Sequence, residues 1–164
     1  MNAGTRLGEM KDSLQAVDFV NSRGRRMRIE ASALTFSYRK TALPKGIVVG
    51  AWFQLKAGTR EGIEQATKSY LQYRKETQPL TLPNAGSVFK NPPGQSAGQL
   101  VESLGLKGLR VGDAEVSTKH ANFIVNQGQA TASDVLTLIR KVRGLVAKKL
   151  GIHLELEWKI LGER

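Results

Sequence analysis

Apolar and polar positions alternate through the first third of the chain and recur every three or four residues further on. Val17, Phe19 and Val20 precede the polar turn Asn21-Ser22-Arg23-Gly24, and Arg26, Met27, Arg28, Ile29 and Glu30 alternate after it, which predicts a β-hairpin. Residues 47–55 form a second β run, rich in β-branched and aromatic side chains and bounded by Gly46 and Gly58. Thr59 then stands as the N-cap of a helix in which Ile63, Ala66, Tyr70 and Tyr73 share one face, with Glu61 in the favourable first turn. This helix must stop before Pro79. Residues 74–99 read as a long Pro/Gly-rich stretch, and such stretches inside small proteins are often functional.

Further on, a short helix is predicted over residues 96–104, with Leu100, Val101 and Leu104 as its buried stripe and Gly105 after it. Two short strands follow, around 109–116 and 122–125. Thr131 caps the strongest helix, in which Val135, Leu138, Val142 and Leu145 share a face, joined by Ile139 and Val146, and Gly151 closes it. Over residues 152–161, Ile152, Leu154, Leu156, Trp158 and Ile160 alternate with polar side chains, the pattern of a half-buried strand. No internal repeat or low-complexity tract interrupts this order.

Composition narrows the class. The 164 residues are 40% hydrophobic and 24% charged, which suits one domain or two small ones sharing a core. No apolar run approaches the roughly 20 residues of a membrane span, and no charged-then-apolar leader pattern is visible. The absence of cysteine excludes disulfides, thiol catalysis and cysteine-ligated metals. A net charge of +11 draws anions: nucleic acid, anionic lipid or phosphorylated small molecules. Aromatic residues, at 6%, are sparse for a base-stacking surface. Arg140, Lys141, Arg143, Lys148 and Lys149 crowd the long helix, where the ordinary reading is a solvated face and the sharper one a nucleic-acid or partner surface.

Candidate chemistry is concentrated in few places. His120 and His153 are too far apart for a metal-ligand motif, and no phosphate-binding glycine loop or nucleophile elbow occurs. The loop cluster Gly86-Ser87-Val88-Phe89-Lys90-Asn91-Pro92 combines a glycine that lets backbone approach a ligand, a hydroxyl that gives or takes a proton, and two side chains able to grip phosphate or sugar oxygens. Taken singly, a Gly-Ser pair is usually a turn. Arg39, after Phe36-Ser37-Tyr38, could fork onto a carboxylate or phosphate, or be a surface arginine. Glu157 lies on the polar side of the last alternating run, where a solvent-facing carboxylate beside Lys159 is the plain reading.

Together these stretches say more. The series Gly86-Ser87-Val88-Phe89-Lys90-Asn91-Pro92-Pro93, Ala97-Gly98, Gly105-Leu106-Lys107-Gly108, Val111-Gly112, Ser117-Thr118-Lys119-His120-Ala121-Asn122-Phe123 and Asn126 resembles the UDP-N-acetylenolpyruvoylglucosamine reductase family. Met1-Asn2-Ala3-Gly4, Phe36-Ser37-Tyr38-Arg39, Leu154-Glu155-Leu156-Glu157 and Gly162 match in the same order. The direct passage from Arg74 to Pro79 into the Gly-Ser motif resembles the shorter form of the family, without an extra tyrosine-bearing loop.

The resemblance implies an FAD enzyme of the bacterial cytoplasm that uses NADPH to reduce UDP-N-acetylglucosamine enolpyruvate in peptidoglycan synthesis, with neither nucleic acid nor membrane as partner. By resemblance, Ser87 is the proton donor, and Arg39 and Glu157 polarise the substrate carboxylate and stabilise the intermediate. Asn2, Ala3 and Gly4 contact flavin, while Tyr38, Lys90 and Asn91 bind substrate. No metal is implied. The implied fold is α+β and mainly antiparallel. Residues 1–72 and 152–164 are expected in the flavin domain and residues 73–151 in a substrate domain. The family pattern begins ahead of Met1, so the chain is expected to be its C-terminal part, completed by a missing N-terminal flavin-domain segment. Two other readings stay open: a UDP-sugar-binding remnant without redox activity, and a basic nucleic-acid-binding module.

Overall fold

The turn at residues 21–24 reverses the chain between two strands of the main sheet. Asn21 Oδ1 accepts the amide protons of Arg23 and Arg25, and the strands on either side, β3 (Leu14–Asn21) and β4 (Arg26–Glu30), pair antiparallel as the alternation predicts. The computed structural model describes residues 1–5 and 7–162 and divides into two units, Met1–Thr59 and Arg60–Arg164. Residues 163 and 164 of the expected first domain lie outside the described residues.

In the first unit a small ladder of β1 (Gly4–Thr5) and β2 (Gly8–Glu9) precedes β3. A second small hairpin, β5 (Thr35–Ser37) and β6 (Lys40–Ala42), leads to β7 (Gly46–Phe53). The main sheet has the order β4-β3-β7. Ala16, Val17 and Phe19 on the central strand are its buried side chains. Gly46 is obligatory at the start of β7, because a Cβ there would meet the Val20 carbonyl at 2.2 Å and the Phe19 ring at 2.5 Å.

The second unit begins with α1 (Arg60–Thr77), which ends ahead of Pro79 as expected. Its shared apolar face is not core: the helix buries no residue, and Ile63, Tyr70 and Tyr73 are exposed. The Pro/Gly-rich stretch after it is only partly irregular, since it contains β8 (Asn84–Ser87) and the start of α2 (Ala97–Ser103), capped by Ser96. The single strand expected over 109–116 is instead a hairpin of β9 (Arg110–Val111) and β10 (Ala114–Val116). Gly112, at φ 54°, turns the chain where the apolar pattern runs straight through. With β11 (Phe123–Asn126) these form a sheet of order β8-β11-β10-β9.

Across this sheet packs α3 (Ala132–Leu150). Thr131 and Asp134 close a reciprocal capping box at its start, and Leu138, Ile139, Val142 and Val146 are buried. Each such side chain contributes roughly 1.5–3 kcal/mol on burial. Every ladder among the described residues is antiparallel, and with α1, α2 and α3 this makes the class α+β, as expected.

The strand expected over 152–161 does not form. Leu154 is buried with Val88, Phe89 and Val101, and Leu156 and Trp158 pack against the same core, so the alternation is real. Its backbone meets only the loop after β8, through an isolated antiparallel bridge between Phe89 and Leu156. Alternation guarantees an inward face, not a ladder of neighbours.

The β7 strand is an edge with little protection. Apart from Gly50 its residues are exposed, Ile47 at 68%, and no charge interrupts the chain between Lys45 and Lys56. An uncharged, apolar, one-sided strand is a template for further pairing. The chain is therefore expected to self-associate with rising concentration. Val49→Lys should reduce that association in sedimentation velocity while moving unfolding free energy by less than about 0.5 kcal/mol. A wild-type chain that stays monomeric at millimolar concentration would show the edge to be guarded.

Candidate functional site

The loop that leaves β8 is shaped by Gly86, whose φ of 79° admits other residues only with strain. Asn84 prepares this turn: its Oδ1 accepts the Gly86 amide proton at 3.0 Å, and its Nδ2 donates to the carbonyls of Pro79 and Leu82. Ser87 follows, half-buried and paired with Phe123 where the β8–β11 register shifts. The chain then turns inward, and Val88 and Phe89 enter the core.

Beyond the Ser87–Phe123 pair the ladder is continued by a side chain. Asn122, only 4% exposed, accepts the Phe89 amide proton at 2.9 Å and donates to the Phe89 carbonyl at 2.8 Å. Its own carbonyl accepts from the Val88 amide at 2.9 Å. From the other side, the Glu157 amide donates to the Val88 carbonyl at 2.9 Å, and the Lys90 amide to the Glu155 carbonyl at 2.8 Å. The backbones of residues 88–90 and 155–157 are thus fastened together, and Glu157 bonds the residue that follows Ser87.

Lys90 and Asn91 carry structural duties of their own. Lys90 Nζ pairs with Glu155 Oε2 at 3.0 Å, on a surface where such pairs contribute little. Asn91 Oδ1 accepts the Ala97 amide proton at 2.9 Å, which folds the Pro92–Pro93 loop back onto α2.

Beside this loop lies an open cavity of about 380 Å³, lined by Gln78, Ser96, Gly98, Glu102, Lys119 and His120 among others. Its inner wall is built tightly: a Cβ on Gly98 would stand 3.1 Å from His120 Cε1 and 3.6 Å from Asn122 Cβ. His120 Nδ1 accepts the Asn122 amide proton at 3.2 Å, so the neutral ring carries its proton on Nε2. Burial holds the imidazole pKa below the ordinary histidine value. Reasoning from sequence gave Asn122 no part beyond one letter of a motif, and the structure brings it together with His120 and the Ser87 loop. The signal was a polar run, Ser117 to Asn122, set between two strongly apolar strands.

Arg39 belongs to the first unit. It is the second of the two residues joining β5 to β6, with a left-handed φ of 55°. Its guanidinium carbon lies 4.9 Å from the centre of the Tyr38 ring, a cation–π distance. The same unit brings residues 1–4 to this hairpin. Asn2 is fully buried, and its Nδ2 donates to the Ser37 carbonyl at 3.3 Å and to Glu9 Oε2 at 3.0 Å. Its Oδ1 accepts from the Lys11 amide at 3.1 Å. Ala3 is exposed, although its backbone already bonds Met1 and Met10. The fold therefore joins Asn2, Ala3, Gly4, Tyr38 and Arg39 within one unit, and Ser87, Lys90, Asn91 and Glu157 within the other.

The basic helix is a plainer feature. Arg140 folds back onto its own helix, donating to the Leu136 carbonyl and Thr137 Oγ1. Among the described residues no three His, Asp or Glu side chains converge to hold a metal, and no helix is long and apolar enough to cross a membrane.

Comparison with known proteins matches residues 78–161 to the sequence model of the UDP-N-acetylenolpyruvoylglucosamine reductase C-terminal domain. Over 99% of its length the chain is 49% identical to the UDP-N-acetylenolpyruvoylglucosamine reductase of Moorella thermoacetica, covering 54% of that protein. It is likewise 49% identical to reductase 2 of Symbiobacterium thermophilum, covering 53% of it. The crystal structure of the Thermus caldophilus UDP-N-acetylenolpyruvylglucosamine reductase superposes on 97% of this chain and 57% of that one, with a TM-score of 0.84 at 48% identity. The chain spans about half the length of the curated relatives it matches. The Ser87 loop, Asn122 and Glu157 all fall within the matched domain, and the chain belongs to the UDP-N-acetylenolpyruvoylglucosamine reductase family.

Proposed function

We propose that this chain supplies the proton-donating and substrate-carboxylate-binding part of a reductase that converts UDP-N-acetylglucosamine enolpyruvate to UDP-N-acetylmuramate for peptidoglycan synthesis in the bacterial cytoplasm. Family membership supports the reaction. The observation that carries the assignment to this chain is the Ser87 loop: a half-buried hydroxyl just after a left-handed glycine, with its backbone clamped to a buried core by Asn122 and the 155–157 segment.

The reaction adds hydride to one carbon of the enolpyruvyl double bond and a proton to the other. FAD, recharged by NADPH, is the group that would supply the hydride when bound. The residues present fit that group only at an edge. Ala3 offers exposed backbone and a small side chain, whereas every polar atom of the Asn2 side chain is engaged within the protein. The remaining flavin contacts fall to a complementary segment, the counterpart of the half of the relatives that this chain does not match. The exposed β7 edge is a surface suited to such a segment. In this reading residues 1–72 and 152–164 serve the flavin side and residues 73–151 the substrate side.

Within this chain, Ser87 Oγ holds the proton. An alcohol is a weak acid, so it delivers that proton only to a base as strong as the carbanionic carbon left by hydride addition, and the alkoxide is then reprotonated from solvent. Arg39 grips the substrate carboxylate, where the planar fork offsets charge that spreads into it during the reaction. Glu157 helps stabilise the same intermediate from beside the Ser87 loop. Tyr38 holds the guanidinium through its ring, and Lys90 and Asn91 face the diphosphate. The cavity at His120 is the room available to the nucleotide end.

Titration calorimetry of the chain with UDP-N-acetylglucosamine is expected to show saturable 1:1 binding, and its absence would sink the reading. In protein reconstituted with flavin, Ser87→Ala should spare bleaching by NADPH and slow the reaction with the enolpyruvyl substrate by about 10²–10⁴-fold. Unimpaired turnover would assign the proton to another group.

His120 sets a pH limit on the loop. Its Nδ1 can accept from Asn122 only while the ring is neutral. Its folded pKa lies below the unfolded value of about 6.5, so between the two the unfolded chain binds more protons. Stability is therefore full above pH 6.5 and is lost as pH falls through the folded pKa. Urea midpoints at pH 7.5 and pH 5 should fall more for the wild type than for His120→Gln, and equal falls would show that this histidine titrates without consequence.

A further inference from the structure

Among the described residues Arg39 alone, apart from glycines, has a positive φ. It stands in a two-residue connection closed by the Ser37–Lys40 pair, at the position where glycine or asparagine would be free of strain. An arginine persists in such a conformation only where its surroundings over-determine it. Two contacts from the start of the chain do so.

The first is Asn2. Its Nδ2 grips the Ser37 carbonyl, one residue ahead of the turn, while the same carboxamide ties down Glu9 and the Lys11 amide. A buried amide with all its groups engaged fixes register and orientation, because any shift would strand a polar atom. The second is Gly4. A Cβ built on it would lie 2.4 Å from Arg39 Nη1 and 3.5 Å from Cζ, so the guanidinium rests directly against the Gly4 backbone. The centre of the Tyr38 ring lies 4.9 Å from the guanidinium carbon.

We infer that Asn2 and Gly4 are positioning residues for Arg39: Asn2 pins the hairpin that carries it, and Gly4 leaves the space in which its guanidinium is seated. The inference rests on the reading of Arg39 as the carboxylate-binding group and deepens it. Asn2 acts through the arginine rather than by touching a cofactor. The seat holds the fork before substrate arrives, so little side-chain freedom is lost on binding.

Gly4→Ala tests this, since Gly4 does not occupy the left-handed region and alanine can adopt its backbone; the added Cβ presses hardest on Arg39 and would also stand 3.1 Å from Glu9 Cγ, at the far end of a flexible side chain. In the ¹⁵N-labelled chain the Arg39 Nε–Hε resonance is identified by its loss in Arg39→Lys. In Gly4→Ala that resonance should shift and exchange with water about tenfold faster, with the thermal midpoint within about 2 °C of wild type. Asn2→Ala should move the Arg39 and Ser37 signals together. An Arg39 resonance unchanged by Gly4→Ala would overturn the inference.

Calorimetry separates this from the reading beneath it. The wild-type preference for the enolpyruvyl ligand over UDP-N-acetylglucosamine should fall roughly tenfold in Gly4→Ala, the scale of a charge-assisted hydrogen-bonded pair. If the resonance moves and the preference does not, the seat stands and the carboxylate role of Arg39 falls.

Discussion

The Asn122 carboxamide takes the Phe89 amide proton and gives one back to the Phe89 carbonyl, doing with a side chain what a β-strand does with backbone. It stands just beyond the Ser87–Phe123 pair, where the β8–β11 ladder ends, and without it two backbone groups of a buried residue would have no partner there. Stranding such groups costs about 1–3 kcal/mol each, so the clamp does not yield easily. The Ser87 loop, the terminal segment with Glu157 and the wall of the His120 cavity all take their places from it. Asn122 in turn relies on a neutral His120 for its own amide proton. A catalytic assignment to Ser87 is thereby also an assignment to the residues that hold it still.

The first unit solves the same problem with another buried carboxamide. Asn2 reaches a hairpin distant in sequence and fixes the backbone on which an arginine is held under strain. In both units a side-chain amide, with one donor group and one acceptor, supplies the cross-link that regular structure does not. Each is uncharged and surrounded by protein, so neither depends on salt.

Local signals were legible in the sequence. The 17–30 hairpin declared itself through alternation around a polar turn, and the 131–151 helix through its cap, stripe and closing glycine. Features that depend on distant partners were not. The run 109–116 broke into a hairpin because Gly112 reverses the chain inside an apolar pattern. The run 152–161 buried its alternate side chains without finding a neighbouring strand to pair along. The apolar face of α1 is exposed, since periodicity marks a face without saying what covers it. Ser87, Arg39 and Glu157 stood out only through their ordered resemblance to a family. Asn122 was one letter of that motif, and its contact with a residue 33 positions earlier is a property of the folded chain.

The order of synthesis gives the terminal segment a further meaning. Leu154, Leu156 and Trp158 complete the core beneath Phe89, and the amides of Lys90 and Glu157 are paired across an interval of 65 residues or more. Contacts of such separation form late, and these cannot form until residues 154–158 have been made. Until that segment has emerged, the chain carries its serine on an unfinished core. The geometry of the loop is then tied to synthesis of residues 154–158, and a chain that stopped before them would hold the Gly-Ser motif without the scaffold that shapes it.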